Sequence, residues 1–381
     1  MTDAIPFYLH DLGEAELDAV RAVLATPILT TGDTVNEFQQ RFAAYLGRRH
    51  AIGLSSATGA IHLALTALGV GPGDEVITTP MSFVATATAI LQAGAVPVFV
   101  DIEADTGNMD VTLVEAAITP RTRAILPVHL YGQMVDMRPL RALADRHGLA
   151  IVEDAAHCVE GERDGVRPGM LSEAACFSFY ATKNLNCGEG GALVTDDAER
   201  AGLIRRLATH GVTKTAADRA KEGYRHWDMD VFGWKYNMSN IQAAFLLPQF
   251  LRLERKVADR QALAERYCRG LASVPGIMVP AQRPRSQSAW HLFVIRSLEL
   301  DRDTLLARLQ QAGCGVVVNY LPIHLTAYFR ERFGYRPGDF PLAEQWGDSV
   351  LSLPFWPGMG MDRVDRVVDQ VRAAVAGASR T

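Results

Sequence analysis

Long apolar runs are missing from this chain. No stretch reaches the roughly 20 residues that a membrane-spanning helix needs, and residues 1–12 lack the charged-then-apolar pattern of an export signal. A soluble, cytoplasmic protein with no membrane partner is therefore expected. Paired cysteines are missing too. The five cysteines (Cys158, Cys176, Cys187, Cys268 and Cys314) are scattered without metal-ligand spacing, and their odd number fits reduced thiols better than a disulfide framework. The histidines also lack ligand spacing, so no metal site is expected. Basic runs are absent and the formal net charge is −5, which argues against nucleic acid as a partner. No G-x-G-x-x-G turn follows an early strand, and with it goes the dinucleotide-binding fingerprint. What the chain does have is length: 381 residues allow two domains and a large core.

The first two thirds alternate short apolar runs with helical spacing. Helices are expected over residues 11–24, 34–46, 60–68, 111–118, 137–147 and 197–207, and strands near 51–54, 73–78, 96–100, 124–128, 149–152, 175–180 and 192–195. Such alternation means a mostly parallel sheet covered on both faces, with sites at the carboxyl ends of its strands. Thr79, Asp101, His129 and Asp154 fall at those ends. Residues 216–227 are polar and read as a loop. Residues 240 to about 268 read as one long amphipathic helix capped by Ser239 or Asn240. Beyond 271 the pattern becomes a smaller α+β unit, with strands at 290–296 and 316–320 and helices at 303–312 and 361–375. The domains are expected at residues 1–250 and 251–381.

The most informative stretch is residues 149–196. Leu149-Ala150-Ile151-Val152 reads as a buried parallel strand ending in Glu153-Asp154. A second strand, Ala175-Cys176-Phe177-Ser178-Phe179-Tyr180, leads to Lys183, then to the turn Gly188-Glu189-Gly190-Gly191 and a third strand. A lysine between apolar strands, backed by glycines that permit close backbone approach, is poorly placed for a merely solvated charge. A desolvated lysine has a lowered pKa and can attack an aldehyde to form a Schiff base. Pyridoxal phosphate supplies such an aldehyde, and its ring withdraws electrons well only when an ionised carboxylate keeps the ring nitrogen protonated. Lys183 and Asp154 are candidates for those two roles, and Ser178 could offer a hydroxyl to the phosphate. An ordinary strand-end ion pair is the alternative for the first two.

A second feature lies upstream. The run Ser55-Ser56-Ala57-Thr58-Gly59 joins a strand to a helix, and a helix amino terminus accepts phosphate readily. Thr58 and Gly59 would supply donors; the plainer alternative is that Ser56 or Thr58 simply caps the helix. Phe83 could lie over a planar ring, or serve as core.

Taken together and in order, these segments resemble the DegT/DnrJ/EryC/StrS-type pyridoxal-phosphate sugar aminotransferases. The landmarks are Ser55-Ser56-Ala57-Thr58-Gly59-Ala60, Val152-Glu153-Asp154-Ala155-Ala156-His157, Phe177-Ser178-Phe179-Tyr180-Ala181-Thr182-Lys183-Asn184 and Thr209-His210-Gly211. Tyr236-Asn237-Met238, Trp290-His291-Leu292-Phe293 and Leu353-Pro354-Phe355-Trp356-Pro357 extend the likeness over nearly the whole chain.

The resemblance implies an α/β, fold-type I transferase of the aspartate aminotransferase kind. It has a large domain with a mostly parallel seven-stranded sheet, a smaller C-terminal domain, and homodimers with shared active sites. It implies Lys183 as Schiff-base lysine and proton shuttle, Asp154 at the pyridine nitrogen and His157 near the phenolic oxygen. Thr58, Gly59 and Ser178 would then bind the phosphate, with Phe83 on the ring and His324 on the substrate side. The family usually has asparagine–tyrosine–arginine where this chain has Lys235-Tyr236-Asn237, so either Lys235 or Asn237 is the residue expected to reach the neighbouring subunit's phosphate. The cofactor would cycle between pyridoxal and pyridoxamine phosphate, with L-glutamate as donor and a nucleotide-linked keto sugar as acceptor. The run Asn184-Leu185-Asn186-Cys187-Gly188-Glu189-Gly190-Gly191 resembles the branch acting at C4. A C3-keto-sugar or cyclitol aminotransferase, or a non-catalytic cofactor-binding sensor, stand as alternatives.

Overall fold

The computed structural model of the chain describes residues 4–213 and 226–376. Most of the loop expected at 216–227 lies outside them. The strands are β1 (His50–Leu54), β2 (Glu75–Thr78), β3 (Val96–Phe99), β4 (Thr122–Leu126), β5 (Ala150–Asp154), β6 (Glu162–Arg163), β7 (Ala174–Ser178) and β8 (Gly191–Thr195). They are followed by β9 (Ile277–Met278), β10 (Ser286–Gln287), β11 (Phe293–Ser297) and β12 (Val350–Leu353). Seven of them form one sheet in the order β1-β8-β7-β5-β4-β2-β3. Neighbours from β7 through β5, β4 and β2 to β3 run parallel, and β8 is antiparallel to both β1 and β7.

The central strands are apolar because both of their faces are covered. On one face, Phe38 and Phe42 of the helix Asp33–Leu46 meet Phe179 and Phe177 edge-on, with ring centroids 5.4 Å and 5.0 Å apart. Such edge-to-face contacts add to simple burial. On the other face, Ile61 and Leu65 of the helix Ala57–Ala67 pack with Ile52 and Leu193.

A second core forms around β11 and β12 and the helices Leu253–Leu271 and Met361–Ala376. Tyr267, Phe293 and Phe355 stack inside it, and Ile5 reaches it from the far end of the chain. Among the described residues, no helix is long and apolar enough to cross a membrane.

Three local expectations change. The long helix is two helices, Asn240–Phe250 and Leu253–Leu271, parted at Leu251 and Arg252. The first helix carries Pro248 in its last turn and closes with tight turns in which the Leu251 and Arg252 N–H groups donate to the carbonyls of Pro248 and Gln249. Residues 111–118 form two short 3-10 turns instead of a helix. Residues 316–320 form no strand beyond the bridge of Val317 with Ser352, and the segment then carries Asn319 and Tyr320 on to line a cavity.

Candidate active site

The carboxyl ends of β5 and β7, the turn after β1 and the segment around Tyr320 enclose a cavity of about 510 Å³. It is built on close backbone contact. Gly191 opens β8 directly under the turn, and a Cβ there would stand 2.3 Å from the carbonyl carbon of Ser56. Only glycine fits. The helix Ala57–Ala67 therefore begins at the cavity wall, where Ser56, Ala57 and Thr58 line it. Ser56 is the cap: its hydroxyl accepts the N–H of Gly59 at 3.0 Å. Gly59 itself lies beside Tyr236, with which a Cβ would collide mildly at 3.2 Å.

Lys183 and Asp154 share this cavity with His157, Ser178, Phe83 and Thr58. Asp154 is only 5 % exposed. Its carboxylate accepts Thr86 Oγ1–H at 2.7 Å and the Ala156 N–H at 3.1 Å. Burial raises its pKa, partly offset by the Thr86 and Ala156 hydrogen bonds and then by the charge of Lys183. Burial likewise drives Lys183 down to about 7, against the opposing pull of Asp154. Near neutral pH a good part of this amine carries a free lone pair, which is what nucleophilic attack requires.

His157 is set by its neighbours. Tyr131 N–H donates to its Nδ1 at 3.2 Å, which leaves the ring proton on Nε2 to donate to Tyr320 Oη, also at 3.2 Å. Burial, then the nearby Lys183 charge, hold its pKa well below the ordinary range, so the ring is neutral. Phe83 is 56 % exposed at the rim, its ring 5.9 Å from that of Tyr320.

Four expected residues are not among those lining this cavity: Gly59, one residue past Thr58, and three that lie elsewhere. His324 is completely buried beside Glu344, with Nε2 3.0 Å from Oε1. Lys235 Nζ donates to Asn237 Oδ1 at 2.6 Å, and Asn237 Nδ2 donates to Thr31 at 2.8 Å. Conversely, the sequence reading gave no role to Thr86, Tyr320 or His291, whose Nε2 lies 3.2 Å from Lys183 Nζ. His291 stood inside a recognised landmark, so its motif was visible and its contact was not.

The donor set fits pyridoxal phosphate. A helix amino terminus with Ser56, Thr58 and Ser178 suits the phosphate, the buried carboxylate suits a protonated ring nitrogen, and a half-neutral amine faces the space between. Apolar Ile61, Val128 and Ala156 complete the wall. Fold and site together define a pyridoxal-phosphate-dependent aminotransferase of fold type I. Residues 10–372 match the DegT/DnrJ/EryC1/StrS aminotransferase family, and the chain belongs to it.

Among relatives, the spore coat polysaccharide biosynthesis protein SpsC of Bacillus subtilis (strain 168) is 41% identical over 380 residues, covering 98% of each chain. The S. venezuelae protein DesV, solved in complex with a ketimine intermediate, is 38% identical with a TM-score of 0.90, each chain covered completely. DesI, solved in the presence of its TDP-sugar product, is 31% identical with a TM-score of 0.89, covering 100% of this chain and 95% of its own.

Proposed function

We propose that this sugar aminotransferase moves an amino group from L-glutamate to the C4 keto group of a nucleotide-linked keto-deoxy sugar, as a cytoplasmic homodimer. The observation that carries the reading is the Lys183 amine, held near neutrality across one cavity from the buried Asp154 carboxylate. The sugar acceptor is supported by the names of SpsC and DesI, and C4 by the resemblance of the run from Asn184 to Gly191. When bound, pyridoxal phosphate supplies an aldehyde for amines and a ring that withdraws electrons from the bonds beside it.

The chain's own residues do the rest. Ser56, Thr58, Ser178 and the helix amino terminus hold the phosphate. Asp154, with Thr86 and Ala156 fixing its oxygens, keeps a proton on the ring nitrogen. Lys183 Nζ, once free, takes a proton from the carbon bearing the donor's amine and delivers it within the same cavity. Phe83 covers one side of the ring. Either Lys235 or Asn237, outside its own cavity, is offered to the neighbouring subunit's phosphate.

The test is the visible absorption spectrum of the holoenzyme before and after L-glutamate. Bleaching by glutamate, then recovery with a 4-keto but not a 3-keto nucleotide sugar, is the expected result. A band that glutamate leaves unchanged would overturn the donor, and recovery only with a 3-keto sugar would overturn C4. Lys183→Ala should fold and show neither band nor turnover. Light scattering tests the dimer, and a fully active monomer refutes it.

A further inference from the structure

The turn that carries His291 is held in a costly shape. Trp290 has φ +45° and faces Tyr131, which has φ +57°. For bulky aromatic residues a left-handed backbone is an outlier that persists only where neighbours over-determine it. Those neighbours are present. Ala289 N–H donates to Gly132 O at 2.9 Å and His291 N–H to Tyr131 O at 3.0 Å, clasping the two turns together. Arg260, buried in the long helix, donates to Trp290 O at 2.7 Å. Asn184, next in sequence to Lys183, donates to Ala289 O at 2.8 Å. A Cβ on Gly132 would stand 2.7 Å from Trp290 N, so the clasp closes only on glycine. The product of all this constraint is one placement: His291 Nε2 at 3.2 Å from Lys183 Nζ.

The other ring nitrogen settles what that contact does. His291 Nδ1 is buried and has no hydrogen-bond partner among the described residues. Burial above all holds the ring well below an ordinary histidine's pKa, so it carries a single proton. Were Lys183 charged, it would donate to Nε2 and force that proton onto Nδ1, leaving a buried N–H orphaned. Orphaned buried N–H groups are rarer and costlier than unused acceptors. With Lys183 neutral, Nε2–H donates to the amine and only a lone pair goes unpartnered at Nδ1.

We propose that His291 is a catalytic residue, whose Nε2–H donates to the Lys183 amine and holds it uncharged and aimed into the cavity. The inference rests on Lys183 as the reacting amine. The other groups facing this pair are Asp154 from β5, His157 from the loop after it, Tyr320 from the opposite wall, Glu189 from the glycine turn and Arg260 behind His291. Of these, Asp154 favours the charged amine by its own charge and burial opposes it; a donor to the lone pair adds to burial on the neutral side.

The test uses full-length protein freed of cofactor. Trace acetylation with acetic anhydride over a pH series, read peptide by peptide by mass spectrometry, gives the titration midpoint of Lys183. His291→Met keeps the site dry without a ring N–H and should raise that midpoint by about one pH unit, the worth of one hydrogen bond. His291→Gln, which can still donate, should restore it. If Met leaves the midpoint where it was, burial alone sets the amine and the proposal is overturned. A second measurement needs no variant: in protein labelled with ring-nitrogen-15 histidine, His291 must be the Nε2–H tautomer, and the Nδ1–H tautomer overturns the proposal. The underlying reading has its own check. If pyridoxal phosphate added back gives no visible band, Lys183 is not the reacting amine, whatever its midpoint.

Discussion

Replacing Thr86 by valine isolates the support beneath Asp154. The two side chains have nearly the same shape, and Thr86 is almost fully buried, so the change swaps a hydroxyl for a methyl without opening a cavity. Two contacts are lost: the hydrogen bond to Asp154 Oδ2 at 2.7 Å and the one shared with Ser82 Oγ at 2.8 Å. Asp154 keeps the Ala156 N–H on its other oxygen, so its carboxylate stays in place but loses about half of its fixed donors. A hydrogen bond to a charged group contributes about 1.5–3 kcal/mol. The lower figure applies with one donor retained, and about 1.4 kcal/mol corresponds to tenfold in affinity. The carboxylate, already raised in pKa by burial, rises further. It is then less able to stay ionised beside a protonated ring nitrogen. Thr86→Val should weaken cofactor binding by roughly tenfold, measured by titrating pyridoxal phosphate into apo-protein at the visible band. A dissociation constant unchanged within twofold would refute Asp154 as the ring-nitrogen partner supported by Thr86.

Other outcomes follow from the same geometry. Lys183 titrates near 7 in the fold against 10.5 ordinarily; between those values the unfolded chain binds more protons, so the stability of the apo-protein rises with pH across that window. Lys183→Met should flatten this rise, seen as a smaller Tm gain between about pH 7 and pH 9, and parallel curves for the two proteins would contradict it. Gly191→Ala drives a Cβ into backbone 2.3 Å away and should cost about 3 kcal/mol with loss of cofactor binding; an unchanged melting curve would show that the turn can yield.

The sheet was legible because its signal is local. Apolar runs bounded by glycine and polar turns mark buried strands, and β5, β7 and β8 lie where those runs lie. Asp154, Ser178 and Lys183 were legible for the same reason, since strand ends point into sites. The partners of these residues were not. Thr86 reaches Asp154 across 68 residues and His291 reaches Lys183 across 108, and no local spacing encodes such contacts. The break at Leu251 was hidden by the amphipathic pattern, which continues on either side of it. His324 followed a motif, yet its ring turns to Glu344 in the folded chain, because Glu344 also collects the N–H groups of Gly338 and Phe340 and fixes the loop between them.

The cavity is assembled against its own electrostatic preference. Burial pushes Lys183 toward its neutral form and Asp154 toward its protonated one, so neither holds its charge as it would in water. The left-handed backbones of Tyr131 and Trp290 add strain at the same place. A fold tolerates this only where packing elsewhere offsets it, and two packed cores are available to do so: the cluster of Phe38, Phe42, Phe177 and Phe179, and that of Tyr267, Phe293 and Phe355. A ligand that gives Asp154 a cationic partner and converts the Lys183 amine relieves the stress in both groups at once. Binding and stability are then linked, since whatever binds the folded chain alone stabilises it in proportion to the logarithm of its concentration over its dissociation constant. The residues that carry this cost are therefore the same ones proposed to select an aldehyde with a basic ring nitrogen and a phosphate.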